Sequence, residues 1–80
     1  MKLPRDLSGS DLIRQLAKLG YHITRQTGSH VRLTTLDHGE YHITIPNHDP
    51  IRIGTLASVI AAVAAHHGIT REELLSRLLG

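Results

Sequence analysis

Three patterns of apolar and polar positions succeed one another along this 80-residue chain. In "SGSDLIRQLAKLG" (8–20), Leu12, Ile13, Leu16 and Leu19 recur at i, i+1, i+4 and i+7, which gathers them into one stripe of a helix. Ser8 or Ser10 is placed to cap it, Asp11 suits its first turn, and Gly20 suits its exit. Period two then takes over in three short runs. "YHITRQ" (21–26) sets Tyr21 and Ile23 against His22, Thr24 and Gln26; "HVRLTTL" (30–36) sets Val31 and Leu33 against His30, Arg32 and Thr34; "YHITI" (41–45) sets Tyr41, Ile43 and Ile45 against His42 and Thr44. Three adjacent alternating runs predict an antiparallel meander with one buried face.

The third pattern is helical again. "GTLASVIAAVAAHHG" (54–68) is apolar nearly all round, which predicts cover on two sides, by the sheet and by another helix or a partner. "ITREELLSRLLG" (69–80) begins with a capping box, Thr70 with Glu73, ahead of Leu74, Leu75, Leu78 and Leu79. The fold class is α+β: one domain over residues 1–80, ordered α-β-β-β-α with an extra C-terminal helix. A three-stranded antiparallel sheet is expected to carry its helices on one face and leave the other open.

Parity sets the expected register, because a slip of one residue exchanges the faces of a strand. A three-residue turn at Thr27, Gly28 and Ser29 pairs Gln26 with His30, Thr24 with Arg32 and Ile23 with Leu33, with Gly28 or Ser29 in the awkward backbone conformation. A two-residue turn would set Ile23 against the wrong face. The same test puts the second turn at Asp37, His38 and Gly39, pairing Leu33 with Ile43 and Val31 with Ile45. The open face then has three rows: His22, Thr34, His42; Thr24, Arg32, Thr44; Gln26, His30, Pro46. His48, in "PNHDP" (46–50), is the other histidine expected to approach His30.

Composition narrows the chemistry. No cysteine is present, so neither disulfides nor thiolate metal sites are available. Nine Lys+Arg against seven Asp+Glu leave a formal charge of +2, and seven of those nine cations are arginines, which fork onto phosphates. That balance permits nucleic-acid binding without demanding it. Tyr21 and Tyr41 are the only aromatic rings besides histidine, which argues against a module that stacks single-stranded bases on exposed rings. The apolar run 55–65 is too short to span a bilayer and no leader-like segment opens the chain, so a soluble cytoplasmic protein is expected.

Seven histidines raise the question of a metal. His22 and His42 would stand ~10 Å apart across the central strand, and His30 ~13 Å from their row. Zinc ligands must converge at about 2.0–2.1 Å from one point, so no metal or other cofactor is expected. His66 and His67 end a helix, where positive charge complements the macrodipole. His38 lies in a turn and is expected to be solvated, and His22 and His42 read as ordinary polar residues of an open sheet face.

Several segments in order resemble the HicA (YcfA-like) mRNA interferase toxins of bacterial toxin–antitoxin systems. They are "KLGY" (18–21), "GSH" (28–30), "IPNH" (45–48), "GTLASVI" (54–60) and "HGI" (67–69), which together span about residues 8–69. The resemblance implies a double-stranded-RNA-binding-domain-like fold, metal-independent RNA cleavage by the histidine of the Gly-Ser-His motif, here His30, and a HicB-type antitoxin that covers the active surface. The net charge is lower than is common in that family, and "DPIRI" (49–53) carries one arginine where several lysines are frequent. On this reading Gly28 and Ser29 aim His30, Arg32 holds a phosphate, and Arg25, Arg52 and Lys2 track the RNA backbone, with His48 as the second proton-transfer group. Two other classes fit the residues: a non-catalytic RNA-binding module, and a protein-interaction domain that uses the apolar helix.

Overall fold

Helix α1 (Gly9–Ala17) begins where Ser8 and Asp11 cap each other. The Ser8 hydroxyl accepts the Asp11 N–H at 3.0 Å, and the Asp11 carboxylate accepts the Ser8 N–H at 3.3 Å. This pair satisfies donors that a helix start leaves free. The Ser8 side chain first, and its backbone second, hold Asp11 below the usual carboxylate range. The computed structural model describes residues 3–79, so Lys2 lies outside the described residues.

Strands β1 (His22–Thr27), β2 (His30–Thr35) and β3 (Tyr41–Pro46) form one antiparallel sheet with β2 in the centre. Helix α2 (Ile53–His67) and helix α3 (Arg71–Leu79) follow, completing the expected α-β-β-β-α-α order. The Thr70 hydroxyl accepts the Glu73 N–H at 3.0 Å at the start of α3, and Gly68 closes α2. Among the described residues no single helix is long and apolar enough to cross a membrane.

The core lies between the inner sheet face and the helices. Val31, Leu33 and Ile45 from the sheet meet Leu12 and Leu16 of α1, Leu56, Val59, Ile60 and Val63 of α2, and Leu74 and Leu78 of α3. Each fully buried side chain of this size contributes about 1.5–3 kcal/mol, and no disulfide assists them. Helix α2 packs against both β3 and α3. It buries Leu56, Val59, Ile60, Val63 and Ala64 as a single stripe, and small residues such as Ala57 and Ala61 cover its half-buried flanks.

The second hairpin has the expected register, with Leu33 opposite Ile43 and Val31 opposite Ile45. The first does not. Gly28 and Ser29 alone make the turn, Thr27 faces His30, and Gln26 faces Val31. The expected three-residue turn is therefore replaced by a two-residue one, with Gly28 at φ +58°. Glycine is favoured at the first position of such turns because that backbone conformation crowds a Cβ. A bulge between Ile23 and Arg25 absorbs the resulting parity mismatch, so Ile23 still pairs with Leu33 while Arg25, not Thr24, pairs with Arg32. Bulges concentrate at sheet edges, where an unpaired residue disturbs one ladder only, and β1 is an edge.

Strand β1 also departs from the expected burial. Tyr21, just before it, is 1% exposed, but Ile23 is 57% exposed and every residue of the strand is exposed. An open cavity of about 500 Å³ between α1 and β1, lined in part by Ile13, Ala17, Ile23 and Leu33, accounts for this. The helical layer stops short of the edge strand.

At the far end of the sheet the loop after β2 docks onto the end of α2. His66 Nε2 donates to the carbonyls of Asp37 (2.9 Å) and Gly39 (3.1 Å), and its ring stacks on Tyr41 with centroids 4.4 Å apart. His67 Nε2 lies 3.0 Å from the Tyr21 hydroxyl. His38 is exposed in its turn, as expected, with its ring 5.2 Å from that of His67 and 6.5 Å from that of His66. Burial first, then the neighbouring His66 and His38, push the His67 pKa down. Burial, with Tyr41 and Asp37 nearby, pushes Tyr21 up to about 12. His66 and His67 end α2 as expected, and at His67 burial works against the charge that the macrodipole favours.

Candidate active site

His30 is the first residue of β2 and is exposed. The two-residue turn brings it there, and the register places it on the outward face with Arg32 and Thr34, while Val31, Leu33 and Thr35 point into the core. Behind the turn, the Ser29 carbonyl accepts the Asn47 N–H at 2.6 Å. The loop carrying Asn47 is itself fastened to the start of α1: Gly9 N–H donates to the His48 carbonyl at 2.8 Å, and the Ser10 hydroxyl lies 3.0 Å from Asn47 Oδ1. Gly28 and Ser29 therefore hold His30 from one side, and the first turn of α1 supports that hold from the core side.

Arg32 stands two residues along the same face, ~7 Å from His30 at strand rise. The bulge supplies what simple alternation denies. It turns Thr24 and Arg25 both toward the open face, since Thr24 Oγ1 bonds Thr34 Oγ1 at 2.8 Å and Arg25 is the register partner of Arg32. Two guanidinium groups thus share a row beside the histidine, with Thr44 completing it on β3. Arg32 Nε is buried without a hydrogen-bond partner among the described residues.

The remaining sequence candidates are less closely gathered. His48 is exposed in the loop after β3, and among the described residues no hydrogen bond joins it to His30. Arg52 is exposed at the N-cap of α2, in the helical layer rather than on the sheet. Among the described residues no group of three or more His, Cys, Asp or Glu side chains is arranged to hold a metal ion.

One arrangement on this face was not anticipated. His42 is held by the Glu40 carboxylate at Nε2 (3.0 Å) and by the Thr34 hydroxyl at Nδ1 (2.7 Å). The row of His22, Thr34 and His42 is the one parity predicts. The available signal for its fourth member was spacing: Glu40 and His42 are two apart in an extended segment, which puts them on one face.

Such a face can bind a polyanion through its arginines and move a proton through an exposed imidazole at its rim. A family model described as HicA toxin of bacterial toxin-antitoxin matches residues 9–65, from the first turn of α1 through most of α2. No curated relative and no solved structure matches the chain.

Proposed function

The chain belongs to the HicA toxin family of bacterial toxin–antitoxin systems, and from that premise we propose that it is an mRNA interferase, a metal-independent endoribonuclease in which His30 transfers the proton. RNA supplies its own nucleophile. The 2′-oxygen attacks the adjacent phosphorus, the bond from phosphorus to the 5′-oxygen breaks, and a 2′,3′-cyclic phosphate is left on one product. One group must take the 2′-hydroxyl proton and one must give a proton to the departing 5′-oxygen. Histidine changes charge near neutrality and can do either.

The observation that carries this reading is the placement of His30: exposed at the rim of the open face, beside a row holding Arg25 and Arg32. The arginines hold a phosphate beside the scissile bond through forked, charge-assisted hydrogen bonds. His48 is the proposed second proton-transfer group, because the residue before it is tied to Ser29. Arg52 is proposed to follow the RNA further from the reacting bond, and Lys2 shares that proposed role. A HicB-type antitoxin silences the protein by covering the open face.

The test is digestion of RNA in EDTA by the wild type and by His30→Ala. Expected are 2′,3′-cyclic phosphate ends from the wild type and none from the variant, whose substitution falls on an exposed position. Cleavage that survives the substitution refutes the role. RNA affinity without cleavage by the wild type would leave a binding module instead.

A further inference from the structure

The open face carries a second device that His30 does not use. Glu40, His42, Thr34 and Thr24 form one hydrogen-bonded line across all three strands, with steps of 3.0, 2.7 and 2.8 Å. It ends at Thr24, exposed in the bulge beside Arg25, and the Thr24 hydroxyl can also donate to the Arg32 carbonyl over a long 3.4 Å. Arg32 contributes a buried Nε that no acceptor in the described residues meets. Buried donors are rarely left so.

The donor inventory of these groups fixes the direction of the line. A carboxylate only accepts, so His42 Nε2 carries hydrogen toward Glu40. When the ring is neutral, Nδ1 must accept, so Thr34 gives it its single hydrogen and Thr24 gives its own to Thr34. Thr24 then shows only lone pairs outward. When the ring is protonated, Nδ1 donates to Thr34, Thr34 donates to Thr24, and the Thr24 hydrogen leaves Thr34, held only by the Arg32 carbonyl at a long 3.4 Å and open to a stronger external acceptor. A phosphodiester oxygen accepts and never donates, so it fits the second state alone.

We infer that Thr24, Arg25 and Arg32 form a subsite for a backbone phosphodiester of RNA, and that a proton on His42 turns its hydroxyl donor outward. The inference rests on the reading that this face takes RNA. Arg32 of the subsite lies two residues from His30, ~7 Å along the strand, so the line acts on a phosphate neighbouring the reacting one. His42 is a positioning residue. The charged and titratable groups around it are Glu40 from its own segment, His22 in its row on β1, and Arg25 and Arg32 in the next row; the helices pack on the opposite face.

The experiment uses the full chain with His30→Ala to prevent cleavage, and a 2′-O-methyl RNA oligonucleotide as probe. Affinity is measured between pH 8 and pH 5, and the His42 ring is titrated by NMR with and without RNA. Losing one hydrogen bond to a charged group changes affinity by about tenfold, so about a tenfold gain toward acid pH is expected beyond that kept by Thr24→Val or Thr34→Val. Both variants leave His42 its charge, and Thr24 is exposed, so its replacement does not threaten the fold. RNA is expected to shift the His42 titration upward in the parent and not in Thr34→Val. Parental pH dependence in both variants, or a His42 titration indifferent to RNA, overturns the subsite alone. No RNA binding by the parent at any pH overturns both the subsite and the RNA reading beneath it.

Discussion

Replacing Gly9 by alanine sets two effects of opposite sign against each other. Gly9 is buried at the first position of α1, and a Cβ there would lie 2.5 Å from the Pro46 carbonyl oxygen and 2.7 Å from Asn47 Cα. Both are backbone atoms and cannot swing aside. Overpacking of this kind costs about 1–3 kcal/mol. Moving the loop away also weakens the Gly9 to His48 hydrogen bond and the Ser10 contact to Asn47, at about 0.5–1.5 kcal/mol each. Against this, alanine gains at most about 1 kcal/mol of helix propensity over glycine, and less in a first turn. The net expectation is a destabilisation of about 1–5 kcal/mol, from the difference of these terms. In a chain of this length 1 kcal/mol corresponds to about 6 °C of Tm, so circular dichroism melting should show a fall of about 6–30 °C. Gly54→Ala in the first turn of α2 is the control, since a Cβ there meets nothing within 4 Å. It should be neutral or gain up to about 1 kcal/mol. A Gly9→Ala protein that melts at or above the wild-type temperature would show that the start of α1 does not press against the loop behind His30.

Two further outcomes follow from the core and the histidine cluster. The His67 pKa is lowered in the folded protein, so the unfolded chain takes the proton more readily; the stabilisation is complete above the unfolded value near 6.5 and declines as pH falls below it. Urea midpoints should therefore drop between pH 7.5 and pH 5.5, and His67→Gln should flatten that drop; an equal drop in the variant would put its origin elsewhere. Leu74→Ala, at a side chain with 0% exposure, should cost about 2–5 kcal/mol, measured by urea denaturation. A loss below 1 kcal/mol would mean that α3 is an appendage and not part of the core.

The sheet was legible in the sequence where alternation is uninterrupted. Strands β2 and β3 keep strict period two, their apolar sets must share one face, and parity alone then fixes Leu33 opposite Ile43. Strand β1 misled because parity assumes that no residue is unpaired. The bulge breaks that assumption locally, and nothing in "YHITRQT" distinguishes a bulge at Thr24 from a longer turn at Thr27. The contact of Gly9 with Pro46 and Asn47 was illegible for another reason: it joins segments far apart in the chain through the absence of a side chain. His66 and His67 were read from their helix alone, yet their partners Asp37, Gly39, Tyr41 and Tyr21 lie on other elements. His30 on the open face was readable because both candidate turns leave it outward; only its neighbour across the turn changes, from Gln26 to Thr27.

That invariance bears on how the site is built. The turn fixes where β2 begins, and β2 alone carries His30 and Arg32, so the spacing between imidazole and guanidinium is set by strand rise. Arg25 reaches the same row only through the extra residue in β1. The two arginines proposed to bind phosphate are therefore placed by different devices, one by the pleat of a central strand and one by a bulge on a free edge. A central strand paired on both sides has little freedom, whereas an edge bulge can re-aim its side chains with one ladder to disturb. On the proposed RNA reading, adjustment of the face would fall on Thr24 and Arg25, while His30 and Arg32 keep the fixed spacing of a central strand. A rigid pair suits the proposed proton transfer, since a general acid or base must lie within hydrogen-bond reach of the proton it moves.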